Sequence, residues 1–247
     1  MPILNQNLDG YDVDGTGYGF SATRLKNLGA TEYTLVGLAV DTSGSVAGHR
    51  AEIERCVGQI VDACRLAPRA DNLMFRVTRF DSQVTEVHGF KPLHECSANL
   101  YGNALPCQGM TALYDGIYNA VESVRRYGTD LTAHGLTTNG IIFIITDGGD
   151  NSSSVGQRSV RATIDGVRTS ENLDGITVVL ISVGVDRPDE VQHLKSVGQG
   201  IGVDASIDLG SADASTLAGL ANFVSHHISL QSRMLGTGRS TSVSLTF

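Results

Sequence analysis

Apolar residues along the chain fall into short continuous runs that alternate with segments of helical periodicity. The run at 33–40 is almost uninterrupted and ends at Asp41, which is typical of a parallel strand buried on both faces. The run at 141–145 contains only isoleucine and phenylalanine and is the clearest buried strand. Further strands are predicted at 73–80, 84–90 and 176–183, with a weaker one at 203–209.

Between these runs, apolar residues recur at the spacing of one helix face. From Ile53 to Cys64 they follow the i, i+3, i+4, i+7 pattern, and most charged residues fall between those positions, where they face water. Further helices are predicted near 112–127, near 157–170, over a short segment that begins at Pro188, and over 214–234.

Strands that alternate with helices indicate an α/β fold: a doubly wound, Rossmann-like, mostly parallel central sheet with helices on both faces. The very short link between the strands at 73–80 and 84–90 favours a hairpin, so the strand at 84–90 is predicted to be the one antiparallel edge strand. The organisation predicted is an irregular N-terminal arm at 1–32, one domain at 33–234 and a C-terminal tail at 235–247.

Charge and composition narrow the choice of partner and compartment. The net charge is −8 with 18 Lys and Arg residues, and no basic run, so nucleic acid and anionic membrane are poor partners. The chain has neither an apolar stretch of bilayer length nor a secretory signal, which predicts a cytoplasmic protein. Cys96 and Cys107 bracket a loop and would pair under oxidising conditions, whereas a reducing compartment favours free thiols.

Three polar segments follow predicted strand ends and are expected at one edge of the sheet. The first, 41–45, comes directly after the first long strand, the second contains Thr111 at a helix entry, and the third contains Asp147 directly after 141–145. In a doubly wound sheet, ligands bind beyond the carboxyl ends of the strands. The predicted site residues are Asp41, Ser43, Ser45, Thr111 and Asp147.

The chemistry of this set indicates a hard cation. Hydroxyl and carboxylate oxygens without histidine or cysteine suit Mg²⁺, with Mn²⁺ or Ca²⁺ as alternatives. The hydroxyls of Ser43, Ser45 and Thr111 are predicted to bind directly, and Asp41 and Asp147 directly or through water. If one carboxylate binds only through water, the ion keeps a net attraction for an anion. An Asp or Glu side chain of a partner protein would then fill the open position.

The three segments resemble the metal-ion-dependent adhesion site (MIDAS) of von Willebrand factor A domains, in which Asp-x-Ser-x-Ser, Thr and Asp occur in this order. The stretches that begin at Thr111 and at Thr146 resemble cytoplasmic bacterial members of that family. The resemblance covers 33–234 and implies a non-enzymatic domain that binds proteins. By analogy with cytoplasmic bacterial members, the resemblance also implies that the domain acts together with a MoxR-type ATPase or in another multi-protein assembly. The chain departs from the pattern at Met110, where a small residue is commoner.

Two other classes of function remain open. A phosphatase that forms an aspartyl phosphate would use Asp41 and Mg²⁺, but it needs a second acid two residues on, where Ser43 stands. A structural subunit of a larger particle would make its contacts through the arm and the tail. The glycine-rich segments 15–19 and 198–202 do not follow a strand and open a helix, as a dinucleotide-binding loop must. The identity of the partner and the oligomeric state are left open.

Overall fold

The structure, a computed structural model, describes residues 7–96, 101, 106–210 and 212–234. These residues form one eight-stranded sheet with α-helices packed against it. The strands are β1 (Leu8–Asp12), β2 (Gly19–Thr23), β3 (Glu32–Asp41), β4 (Leu73–Phe80), β5 (Val84–Pro92), β6 (Thr137–Thr146), β7 (Ile176–Ser182) and β8 (Ala205–Asp208). The helices are α1 (Arg50–Arg65), α2 (Leu113–Ala133), α3 (Gln157–Thr169), α4 (Pro188–Ile201) and α5 (Ala214–Met234).

The order of the strands creates a switch point next to β3. The sheet runs β1-β2-β5-β4-β3-β6-β7-β8, and β3 pairs in parallel with both β4 and β6. The chain leaves β3 towards β4 on one side and later returns to β6 on the other, so the loops that follow β3 and β6 flank a crevice. The α/β fold class predicted from the sequence is therefore confirmed, and β5 is antiparallel to β4 as expected.

The prediction of an irregular arm at 1–32 is wrong for the strands it contains. β1 and β2 form an antiparallel hairpin, and β2 lies parallel to β5, so β5 is not the edge of the sheet. The hairpin buries Phe20 and Ala22 beside Phe90. Only a few apolar positions separated by glycine and polar residues make these contacts, so the short strands give no clear periodic signal. The predicted tail at 235–247 lies outside the described residues.

Two apolar cores cover the faces of the sheet. On β3, Val36, Leu38 and Val40 face the core that includes α1 and α5, whereas Leu35 and Ala39 face the core of α2 and α3. Because successive side chains of a strand point to opposite faces, β3 is buried throughout, as its continuous apolar run predicts. The loop that follows β3 is thus anchored to a strand that is buried from Tyr33 to Asp41.

Several elements are longer than predicted, including β5, which ends at Pro92, and α4, which has 14 residues instead of a short segment. α2 continues from the expected end near 127 to Ala133, because Leu131 remains buried against the sheet. β6 begins at Thr137 rather than at 141, since Thr137 pairs with Glu32 at the start of β3. The added residues of β6 are polar, so only their pairing with β3 identifies them as strand.

A buried arginine joins the hairpin to the rest of the molecule. The Arg76 side chain on β4 is 2% exposed, and its Nε donates to Glu86 at 2.9 Å. Its two terminal nitrogens donate to Asn119 at 2.9 Å and to Ser123 at 3.1 Å on α2. Glu86 also accepts the main-chain N–H of Ser21 on β2 at 3.1 Å. One buried charge and its partners therefore connect β2, β4, β5 and α2.

The structure keeps Cys96 and Cys107 apart. The guanidinium of Arg65, in the last turn of α1, donates to the carbonyl of Cys96. The charge of Arg50, in the first turn, acts on the Cys107 thiol, whose pKa is raised mainly by burial. A helix of 16 residues is about 24 Å long, so these two cysteines lie near opposite ends of α1. None of the four cysteines forms a disulfide bond in this structure.

Of the helices in the described part of the chain, none combines the length and the apolar character that a bilayer crossing requires.

Candidate metal centre

The carboxyl ends of β3 and β6 bring two of the predicted segments side by side. Val40 lies opposite Ile145 in the parallel register, so Asp41 and the Thr146-Asp147 pair follow at the same level of the sheet. After Asp41 the chain turns sharply, because a 3-10 turn from Ser45 leads into α1. Both loops therefore start from strands that the two cores hold in place.

Three of the predicted side chains form a contiguous group of oxygen atoms. The hydroxyl oxygens of Ser43 and Ser45 lie 3.0 Å apart. The Ser45 hydroxyl also donates to a carboxylate oxygen of Asp147 at 2.9 Å. Ser43 is buried and Ser45 is exposed, so the group extends from the interior to the surface. The structure thus brings residues 102 positions apart in the sequence into one site.

Asp41 lies beneath this group and is fixed by two hydrogen bonds. One carboxylate oxygen accepts the main-chain N–H of Ser43 at 2.8 Å, and the other accepts the Thr146 hydroxyl at 2.6 Å. Asp41 is 1% exposed. Thr146 is a positioning residue that the sequence reasoning missed. Its only signal in the sequence is its place directly before Asp147.

The two carboxylates of the site carry an electrostatic cost. Burial raises the pKa of Asp41 to about 6, against the hydrogen bonds from Thr146 and Ser43, and the charge of Asp147 raises it further. Burial also raises the pKa of Asp147, against the Ser45 hydrogen bond and the charge of His49, with Glu190 adding to the rise. Asp41 is buried and Asp147 is half-buried, so the two nearby carboxylates repel each other, and a cation between them would relieve this repulsion.

Thr111 lies between the two loops. Just before it in the chain, the carbonyl of Gly109 accepts the N–H of Gly44 at 3.0 Å, which ties the segment to the loop after β3. The N–H of Thr111 donates to the Asn151 side chain at 2.7 Å, which ties it to the loop after β6. Asn151, which is not in the predicted ligand set, therefore positions the main chain of Thr111.

The segment before Thr111 has a backbone that requires glycine. Gly109 has φ +76°, and a Cβ there would lie 2.7 Å from the Ser82 hydroxyl. That hydroxyl accepts the N–H of Met110 at 2.9 Å. With its main chain held in this way, Met110 presents a side chain that is 55% exposed at the rim of the site. The departure from the family pattern is therefore a surface feature.

The geometry fits a hard divalent ion. In an octahedral Mg²⁺ site with metal–oxygen distances of about 2.1 Å, neighbouring ligand oxygens lie about 3 Å apart. The Ser43–Ser45 and Ser45–Asp147 oxygen pairs have separations of this size. Among the described residues, no three His, Cys, Asp or Glu side chains form a group that could hold a metal. A metal at this site would therefore depend on hydroxyl ligands as well as on the two carboxylates.

No protein-family model matches the chain, and no curated protein matches it. Several solved structures do. The minor pilin PilB from Streptococcus sanguinis has a TM-score of 0.58 at 14% identity, over 86% of this chain and 65% of that one. A von Willebrand factor type A protein from Catenulispora acidiphila has a TM-score of 0.53 at 14% identity, over 85% and 43%. Proximal thread matrix protein 1 from the mussel byssus, with a zinc-occupied MIDAS motif, has a TM-score of 0.53 at 20% identity, over 79% and 46%.

The chain spans less than two thirds of the length of each of these three proteins. Identities between 14% and 20% establish a shared fold. One of these structures is named for the von Willebrand factor A domain and another carries a metal in the corresponding type of motif. The chain has the fold of von Willebrand factor type A domains.

Proposed function

We propose that this chain is a non-enzymatic protein-binding module that holds one Mg²⁺ ion and uses it to bind a carboxylate of a partner protein. The ligand set is Asp41, Ser43, Ser45, Thr111 and Asp147. The observation that supports it most directly is the chain of oxygens from Ser43 through Ser45 to Asp147, spaced by 3.0 and 2.9 Å at the switch point of the sheet.

The charges of the set support binding of an anion in addition to the ion. Ser43, Ser45 and Thr111 are neutral, so Asp41 and Asp147 alone offset the two positive charges of Mg²⁺. Asp41 is already engaged with Thr146 and with the Ser43 main chain, which favours contact with the ion through water. The bound ion would then offer an outward position to a carboxylate. The partner is proposed to supply an Asp or Glu side chain there.

The setting of the module follows from the resemblance seen in the sequence. We propose the cytoplasm as its location, where a reducing environment would keep the four cysteines as thiols. An assembly with a MoxR-type ATPase or another multi-protein complex is the proposed context.

A structural subunit is the alternative function, but β1 and β2, which lie in its proposed contact arm, belong to the central sheet. An aspartyl phosphatase would still lack an acid at Ser43.

The test is the affinity for Mn²⁺, a paramagnetic substitute for Mg²⁺, measured by electron spin resonance. Asp41→Asn keeps the shape of the side chain and removes its charge, although it replaces one of the two acceptor oxygens with a donor. We expect the affinity to fall at least about tenfold, because even outer partners of metal ligands contribute this much. Asp71→Asn removes an exposed carboxylate just before β4, at the end of the strands opposite to the candidate metal centre, and serves as the matched control. Circular dichroism of both variants checks the fold.

Binding of a partner carboxylate is tested with short Gly/Ser peptides that carry a single Asp. Chemical-shift changes near the site should require both Mg²⁺ and the Asp of the peptide, and Asp41→Asn should abolish them. A peptide with Asn in place of Asp is the control. Equal shifts with chelator, or with the Asn peptide, would contradict the proposed function.

A further inference from the structure

A cleft of about 720 Å³ opens beside the candidate metal centre. Its walls are the β1–β2 turn (15–18), Gln83 and Val84 at the start of β5, Asp115 in the first turn of α2, and Ser154 in the loop after β6. The volume is in the range of small-molecule and side-chain pockets. The turn belongs to the glycine-rich segment 15–19, which does not have the features of a dinucleotide-binding loop.

The cleft results from the way in which β2 meets β5. The register of these two strands consists of Ala22 opposite Phe90. They are closest near Gly89, where a Cβ would lie 2.1 Å from the Ser21 carbonyl. At Ser21, the residue before Ala22, the main-chain N–H donates to the Glu86 side chain and not to the main chain of β5. The two strands therefore separate, and the cleft occupies the gap that results.

The cleft shares its walls with the candidate metal centre. Ser82, next to Gln83, accepts the N–H of Met110 at the rim of the metal centre. On the other side, the Asp115 carboxylate accepts the N–H of Ser154 at 3.2 Å, in the loop that also holds Thr111. Because the same loops border both sites, a single segment of a partner chain can contact the metal centre and the cleft together.

The charges around the cleft favour a cation. Among its lining residues, Asp115 is a carboxylate and is 2% exposed, and none is Lys or Arg. Burial is the main reason that the pKa of Tyr18 is raised, and the nearby carboxylates of Asp115 and Asp81 add to the rise, against a hydrogen bond with the main chain of Val84. The nearby Arg126 is already paired with Asp14 of the turn. An anionic ligand such as a phosphate would be repelled.

We propose that this cleft receives a Lys or Arg side chain of the same partner segment that presents its carboxylate to the metal centre. The inference rests on the proposed function for that carboxylate. Tyr18 lines the cleft, and aromatic rings attract cations. The exposed Gln83 side chain adds a neutral oxygen acceptor. Charges of this kind contribute mainly to partner selection. The partner segment therefore carries an acidic residue and, at a fixed spacing from it, a basic residue. An acidic residue alone would not be sufficient for full affinity.

Gln83 provides a pair of variants with opposite charge. Its side chain is exposed, and its main-chain N–H, which donates to Asp81 at 3.0 Å, is retained on substitution. The probes are Gly/Ser peptides with a single Asp and a Lys, in a series in which the number of residues between Asp and Lys increases by one at a time. Gln83→Glu should strengthen the binding of the peptide with the best spacing, and Gln83→Lys should weaken it. Each change is expected to be about threefold to fivefold, as for partly exposed ion pairs. Peptides with Ser or Glu in place of Lys complete the series.

The matched controls are Gln199→Glu and Gln199→Lys. They make the same changes at an exposed position near the C-terminal end of α4, which does not line the cleft. Wild-type protein that binds the Lys, Ser and Glu peptides equally, or Gln83 variants that behave like the Gln199 variants, would overturn the inference. Peptide binding that requires Mg²⁺ but not the Lys of the peptide would overturn this inference and leave the proposed function intact. A preference for Lys that persists in chelator would instead contradict the proposed function. Failure of every peptide to bind would overturn both.

Discussion

His88 on β5 uses both nitrogens of its ring inside the protein. A carbonyl can only accept, so Nδ1 donates to the Gly89 carbonyl at 2.9 Å. A neutral ring then accepts the Tyr101 hydroxyl at Nε2, also at 2.9 Å. Protonation would break the second bond and place a charge in an apolar setting. Burial accordingly lowers the pKa of His88 from 6.5 to about 4.

We predict that His88 makes the protein sensitive to acid. The unfolded chain takes up this proton near pH 6.5, whereas the folded chain resists it down to about pH 4. The contribution of His88 to the free energy of unfolding is therefore complete above pH 6.5 and declines towards pH 4, by at most about 3 kcal/mol. Urea unfolding at several pH values should show a smaller acid loss for His88→Asn than for the wild type. His94→Asn, at an exposed position, should leave the acid loss unchanged.

Single residues of the candidate site differ in how far the sequence reveals them. Asp41, Ser43 and Ser45 follow a buried strand in an unbroken motif, so their proximity follows from local spacing. Thr146, in contrast, meets Asp41 across 105 positions of sequence. A threonine at a strand end has many possible partners, and only the register of β3 with β6 selects this one.

At the scale of elements, α2 approaches the sheet closely at one glycine. A Cβ on Gly116 would lie 2.6 Å from the ring of Phe80, at the end of β4. Phe80 is completely buried, so its ring has no free space into which to move. The first turn of α2, which carries Asp115 and follows Thr111, depends on this contact for its position.

We predict opposite effects for the same substitution in two helices. Gly116→Ala should lower the free energy of unfolding by about 1–3 kcal/mol, because the added methyl group overpacks the interface with Phe80. Gly166→Ala on the exposed face of α3 meets no atom within 4 Å and should raise it by about 0.5–1 kcal/mol through helix propensity. Urea denaturation of both variants measures this. A stable Gly116→Ala protein would mean that α2 is free to shift outward.

The elements themselves were predictable where their patterns are periodic. β3 has a continuous apolar run and α1 has an apolar face, and both were placed close to their observed limits. The first part of β6, from Thr137, is polar and becomes strand only through its pairing with β3. Local pattern is thus sufficient for the core of an element, whereas its ends are determined by neighbours distant in the sequence.

At the scale of the whole molecule, the folding energy comes from the two apolar cores and not from the candidate metal centre. The loops of that centre also make hydrogen bonds within the protein, such as the one from the Thr111 N–H to Asn151 and the one from the Ser43 N–H to Asp41. We expect these hydrogen bonds to hold the loops in place when the ion is removed.

We predict that the protein folds without metal. Thermal melts in chelator should remain cooperative, and Mg²⁺ should add stability only by mass action, about 2.7 kcal/mol at a hundredfold excess over its dissociation constant. Calorimetry with and without chelator measures the difference, and for the Asp41→Asn protein an affinity at least tenfold lower should reduce it to about 1.4 kcal/mol or less. Loss of the cooperative transition in chelator would show instead that the ion is part of the folding core.

The hairpin of β1 and β2 also determines where the protein can be cut. The periodic pattern suggests a domain that starts at Tyr33, but a fragment that began there would lack the partner of β5. Phe90 would face water, and the edge of β5 would be open to pairing with another chain, which is a route to aggregation. A fragment intended for isolated study of the metal centre should therefore retain Leu8 and the residues that follow it.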